Sequence, residues 1–292
     1  MAKNYFERFK EIERLKKAEA AALYDRCLFE TAIIYQDKKP VKAAEKAART
    51  VHYFRMKAAA EIIEKIRAAG IESLSAPEYI FIKSLYNNSM SEGSGKLKEI
   101  NSISTAVFLN PQCIKNAATP GSICAHCYAA RYSSFRPALA RKLELNTLLY
   151  NTIVLPVELL PEINALYFRL ESFGDLNSAL QFVNYLNIVK KNNHVNFAIW
   201  TKNPQFMAEA FQENEKPDNL QIVYSALKLN APEMLIKAIM NKYSFIDCVF
   251  IVYDKETIKK ENININCGGR SCINCLNCYK KGGPDVIREK KK

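Results

Sequence analysis

Residues 164–204 read NALYFRLESFGDLNSALQFVNYLNIVKKNNHVNFAIWTKNP. Two apolar runs, 164–173 and 195–201, flank a segment from Leu176 to Lys191 whose apolar residues recur at helical spacing. Strand, helix and strand within about forty residues form one βαβ unit, and such a unit joins parallel strands. Runs with the same texture occur at 103–109, 220–227 and 247–253, with helical patterns filling most of the gaps. The expected fold is therefore α/β, a partial (β/α) barrel of parallel strands. Chemistry in such folds gathers at the carboxyl ends of the strands. Those ends supply Cys113, Gly174 and Asp175, Thr201, Lys202 and Asn203, Ser225 and Asp254.

Outward from this core the texture changes. Residues 1 to about 70 are rich in Ala, Lys, Glu and Arg, with Ile12, Leu15, Ala18 and Ala22 at helical spacing. A second helical pattern starts after Pro40 and ends at Gly70, so a helical hairpin precedes the barrel. Ser75 and Glu78 fit a capping box. NNSMSEGSGK, 87–96, reads as a flexible linker. The expected division is a helical arm over 1–90, the barrel over 96–260, and a cysteine-rich segment with a basic tail over 261–292.

The chain has 292 residues and a formal net charge of +12. No apolar run is long enough to cross a membrane, and the charged N-terminus lacks the apolar centre of a signal peptide. Both point to a cytoplasmic protein. The positive charge points to nucleic acid or a nucleotide as partner, and the amphipathic N-terminal helices offer a surface for a protein partner.

Nine cysteines in a reducing compartment suggest metal binding or redox chemistry rather than disulfides. Cys113, Cys124 and Cys127 form C-x10-C-x2-C, and three ligands leave one coordination position for a substrate. The helix start after Cys127 is expected to lower the thiol pKa. His126 is a potential fourth ligand, with a solvent-facing role as the alternative. Cys267, Cys272, Cys275 and Cys278 form C-x4-C-x2-C-x2-C, closer to iron–sulfur ligation than to paired zinc knuckles. Iron–sulfur is the reading adopted for these seven, as one or two four-iron clusters, with zinc as the alternative; a single site shared by both groups is a third arrangement. Cys27 and Cys248 each stand alone in apolar surroundings and read as core residues.

Among polar residues on the strands, Arg169, Glu171 and Phe173 share one face by alternation, as do Trp200 and Lys202. Opposite charges inside an apolar strand suggest a polar barrel interior. Lys202 suits a carboxylate or phosphate ligand, with a solvated loop lysine as the alternative. Arg131, Arg136, Arg141 and Lys142 read as a charged helix surface, and His52 and His194 as structural.

GKLKEINSIS, Cys113, CAHCYAARY, RLESFGDLNS and AIWTKNP, in that order, are similar to the phage gene-product-88-like proteins. The resemblance covers residues 95 to about 280 and implies a phage or prophage origin and a bacterial host cytoplasm. A looser resemblance is to radical S-adenosylmethionine enzymes. There Cys113, Cys124 and Cys127 would hold a cluster, with Tyr128 as the aromatic beside the last of them in the cofactor site, and Glu171, Ser172, Gly174 and Asp175 would hold the methionine cofactor. The same resemblance implies that Arg169, Thr201, Lys202 and Ser225 line the cofactor site, that Lys202, Glu171 and Asp175 serve catalysis, and that the C-terminal cysteines hold an auxiliary cluster. The departure is a gap of ten residues where that family has three. The competing reading is a non-catalytic, zinc- or cluster-stabilised nucleic-acid-binding protein.

Overall fold

The computed structural model describes residues 43–291. The first helix expected in the hairpin, and Cys27, lie outside the described residues. The chain divides into two compact units between Ser84 and Leu85. The first contains helix α1 (Ala43–Ala69) and most of α2 (Ala76–Asn87). α1 carries Glu45 in its first turn and Arg67 in its last, both matched to the helix dipole. It stops at Gly70, whose φ of 77° is the left-handed conformation that ends many helices. At the start of α2, Glu78 accepts from the Ser75 N–H at 2.8 Å, the side-chain half of the expected capping box.

The second unit is built on six strands: β1 (Asn101–Ile103), β2 (Tyr167–Leu170), β3 (Asn196–Thr201), β4 (Leu220–Ser225), β5 (Cys248–Tyr253) and β6 (Val286–Lys290). They form one sheet in sequential order, every neighbouring pair parallel. The connections carry α3 (Pro111–Ala118), α4 (Tyr128–Phe135), α5 (Pro137–Asn151), α6 (Ala179–Lys191), α7 (Pro204–Ala210), α8 (Glu233–Lys242), α9 (Lys255–Lys260) and the single turn α10 (Cys272–Cys275). Parallel crossovers take one hand, so crossovers stepping in one direction gather their helices on one face.

Strand register shows what each face presents. Ser102, Arg169 and Ala198 are cross-strand partners; so are Trp200, Val223 and Cys248, and Ser225, Phe250 and Ile287. This face carries Arg169, with Trp200 and Phe250 beside the small and polar residues. The opposite face carries Phe168, Leu170, Phe197, Ile199, Ile222, Val249 and Ile251, all fully buried.

Three expectations need correction. The first strand is shorter and earlier than 103–109: β1 ends at Ile103 and residues 107–109 form a 3-10 turn. The basic tail supplies a sixth strand, β6, against β5. The stretch 87–96 is an ordered turn rather than a flexible linker. Ser91 and Ser102 exchange backbone hydrogen bonds at 2.7 and 2.8 Å, and at Gly93 a Cβ would lie 1.9 Å from the Leu97 carbonyl oxygen. Lys96 then reaches Glu289 of β6 at 2.5 Å.

Asp247 ties β4 to β5. It accepts from the Ile222 N–H at 2.6 Å and pairs with Lys216 at 2.6 Å. Lys216→Ala should lower stability by about 1 kcal/mol, since the pair is only partly screened by solvent. Urea unfolding at low and high salt checks this; a loss that does not shrink in salt would argue against the ion pair.

Candidate metal and anion site

The charged face of the sheet opens into a cavity of about 1530 Å3. All seven clustered cysteines line it, with Lys96, Tyr128, Arg169, Glu171, Ser172, Gly174, Asp175, Lys202 and Ser225.

The first cysteine group is placed by α3, a helix the sequence reading passed over. Its signal was present: Asn110 caps it, accepting from Gln112 and Cys113 N–H groups at 2.9 and 3.3 Å, and Pro111 follows at the first helical position. Asn110 also donates to the carbonyls of Asp175 and Leu176, tying Cys113 to the turn after β2. The C-x2-C turn docks beyond β4, where the Ile123 N–H donates to the Leu227 carbonyl at 2.9 Å. The second group comes from the connection between β5 and β6, which folds back over the charged face. Cys272 and Cys278 pack with Ile100, Ala198 and Tyr279, and Cys267 and Cys278 with Trp200, Val223 and Cys248. The two groups thus share one cavity, a neighbourhood that no sequence spacing encodes.

All eight described cysteines are free. Burial pushes the thiols of Cys113, Cys124, Cys267, Cys272 and Cys278 up, against the lowering expected from the helix start. Desolvation exceeds the few backbone dipoles there, so without a bound cation these are poor nucleophiles. Cys248 is a core residue as expected; burial pushes its thiol up to about 12. His126 is exposed at the cavity mouth, and His194 bonds to the Ile163 carbonyl at 3.0 Å, a structural contact. Among the described residues no three His, Cys, Asp or Glu side chains are arranged to hold a metal ion as they stand.

The two carboxylates are fully engaged. Glu171 sits just past β2 with φ at 57°, a left-handed conformation uncommon outside glycine. Its oxygens accept from the Thr105 N–H (3.1 Å), Thr105 Oγ1 (3.0 Å), Gln181 Nε2 (2.6 Å) and Tyr185 OH (2.5 Å). Burial raises its pKa to about 7, and the donors from Tyr185 and Thr105 hold it from rising further. Asp175 accepts from Thr201 Oγ1 (2.6 Å), the Leu176 N–H (2.8 Å) and the Lys202 N–H (3.0 Å). Burial raises its pKa as well, with nearby Lys202 pulling it down. Ser172 joins Ser102 and Ser104 at 2.9 Å each, and its carbonyl accepts from the Tyr128 hydroxyl, turned inward from a half-exposed ring. These bonds shape the turns after β1, β2 and β3. Gln181 and Tyr185 stand four residues apart on the buried side of α6, a polar pair in an apolar stripe that would have flagged them.

The cations are less committed. Lys202 donates from Nζ to Ser225 Oγ at 3.0 Å and makes no ion pair among the described residues. Arg169 is 8% exposed, lies against the Trp200 ring and makes neither hydrogen bond nor ion pair there. Arg136, expected on a charged helix surface, lines the cavity and lies 4.6 Å from the Tyr132 ring centroid. Asp254 instead caps α9, accepting from the Thr257 N–H at 2.7 Å.

No helix among the described residues is long and apolar enough to cross a membrane. No curated protein and no solved structure matches the chain. The family described as Gene product 88 matches residues 82–291, which span every strand and both cysteine groups. The match covers well over half of the chain, and the chain belongs to the Gene product 88 family.

Proposed function

We propose that the cavity holds thiolate-bound metal, as one or two four-iron iron–sulfur clusters, and binds an anionic ligand beside it. One observation carries the reading: seven cysteines, remote in sequence, line a single cavity that also holds two cations without carboxylate partners. The donor set suits a soft metal, because thiolates favour iron–sulfur clusters and zinc over oxygen-preferring ions. Four thiols in the C-terminal group match a closed centre, and three in the other leave a coordination position open.

Sequential parallel strands are what a partial barrel requires, and an open cluster at their carboxyl ends is the arrangement that radical S-adenosylmethionine chemistry uses. Bound there, S-adenosylmethionine would supply a carbon radical on reduction. The chain's own part would be to hold the ligand's anionic groups through Lys202 and to exclude water with Tyr128 and Phe173, whose rings pack 5.6 Å apart. Glu171 and Asp175, with every oxygen occupied, hold these residues in position. A nucleotide or nucleic acid suits the positive charge, and a bacterial cytoplasm infected by a phage suits the family.

Anaerobic purification with iron, sulfide and zinc analysis tests this. About eight irons with matching sulfide are expected for two clusters, and Cys124→Ser should leave about half the metal. Loss of all metal from a folded Cys124→Ser protein would indicate one shared centre. Cleavage of S-adenosylmethionine by the reduced protein is the further requirement for the radical reading. The net charge of +12 keeps a second reading, a zinc-stabilised nucleic-acid-binding protein. It predicts colourless protein with bound zinc and binding that weakens steeply with salt.

A further inference from the structure

Buried donors without acceptors mark the surroundings of the C-terminal cysteines. Among the described residues, five buried side-chain atoms lack a hydrogen-bond partner: Asn146 Oδ1, Arg169 Nε, Trp200 Nε1, Ser271 Oγ and Tyr279 OH. All but the first surround one place. Trp200 packs in a cluster with Cys267 and Cys278, and Tyr279 in another with Cys272 and Cys278. Ser271 precedes Cys272, and Arg169 lies against the Trp200 ring and pairs in register with Ala198, which packs with Cys272 and Cys278. Arginine and tryptophan nitrogens only donate, and the two hydroxyls can. What is missing between them is therefore an acceptor.

Charge sharpens this. A buried guanidinium without a counter-ion is costly enough that buried charges are nearly always paired. The carboxylate nearest to it in sequence, Glu171, just past β2, already accepts four hydrogen bonds. Among the described residues Arg169 makes no ion pair, and what packs around Trp200 and Tyr279 beside it is apolar side chains and the C-terminal cysteines. Four thiolates around a divalent core, whether one zinc ion or a four-iron cluster in its oxidised state, leave two negative charges and several sulfur lone pairs.

We propose that Arg169, Trp200 and Tyr279 form a binding site for this compact dianion, the metal–thiolate centre of Cys267, Cys272, Cys275 and Cys278, with Arg169 as its counter-cation. The inference rests on the metal reading of the cavity and assigns the closed, charge-compensated centre to the C-terminal group. A diffusible oxyanion such as phosphate has the same charge and acceptors, and is the other source of such a ligand.

The test uses the full chain loaded with cobalt(II), whose thiolate absorption reports its ligands, and titrated with a competing chelator. Cys124→Ser serves as the background, so that only the C-terminal centre is read. On that background Arg169→Leu should weaken cobalt retention at least tenfold and shift the thiolate absorption, while Arg169→Lys should recover most of the loss. Trp200→Phe, which keeps the ring and removes the donor, should weaken it a few-fold, and it serves where Arg169→Leu fails to fold. Unchanged retention and spectrum in folded Arg169→Leu or Trp200→Phe overturn the proposal, as does a metal-free wild type whose melting temperature rises with inorganic phosphate in an Arg169-dependent way. Wild-type protein that takes up no metal under any condition overturns the metal reading itself, and this inference with it.

Discussion

Gly174→Ala should destabilise the protein by about 1–3 kcal/mol, lowering the melting temperature by roughly 3–10 °C. A Cβ at this position would lie 2.2 Å from Glu171 Oε2 and 2.8 Å from both the carbonyl oxygen and Oγ1 of Thr105. The backbone there is one that alanine adopts; the obstacle is space. Thr105 and Glu171 bind each other, so neither side chain can move aside without breaking the network that fixes the turn after β2. Asp175 follows directly and positions Lys202 through its N–H. The substitution should therefore also weaken whatever the cavity binds. Thermal unfolding of the variant checks the first effect; a melting temperature within a degree of wild type would mean that the turn is far more yielding than this packing implies.

The second large effect is a pH dependence that belongs to Glu171. Its pKa is raised from an ordinary 4.5 to about 7, chiefly by burial. Between those values the folded protein holds a proton that the unfolded chain has released. Stability from this group is therefore greatest at low pH, falls as pH rises through that window, and levels off above about 7. The full change is on the order of 3 kcal/mol. Asp175, also raised by burial, adds a change of the same sign. Glu171→Gln removes one of these titrations, so the fall in urea midpoint between pH 5 and pH 7.5 should become markedly shallower. Equal slopes for variant and wild type would assign the pH dependence elsewhere.

Much of this was legible in the order of residues. The apolar runs at β2, β3, β4 and β5 are long and β-branched or aromatic enough to read as parallel strands. Arg169 and Trp200 follow strand alternation, whereas Glu171 and Lys202 lie past the ends of β2 and β3, and Glu171 turns left-handed to bond Gln181 and Tyr185 of α6. β1 and β6 were harder. One has three residues, and the other, VIREK, is more charged than a buried parallel strand usually is, because neighbours on its two faces supply Lys96 for Glu289 and Glu233 for Arg288. The 87–96 stretch has the composition of a linker and is ordered by backbone bonds to β1 that composition does not report.

The sequence by itself determined the α/β class, the seven cysteines as two groups and the polar strand ends, because short-range spacing and hydrophobic period are local quantities. Only the tertiary structure decided that the C-terminal group folds back over the charged face of the sheet, that Glu171 and Asp175 are saturated with donors, and that Arg169 is buried without a partner. Those are facts of which surfaces meet. They depend on side chains up to 193 residues apart competing for the same space and the same hydrogen bonds, which no local pattern records.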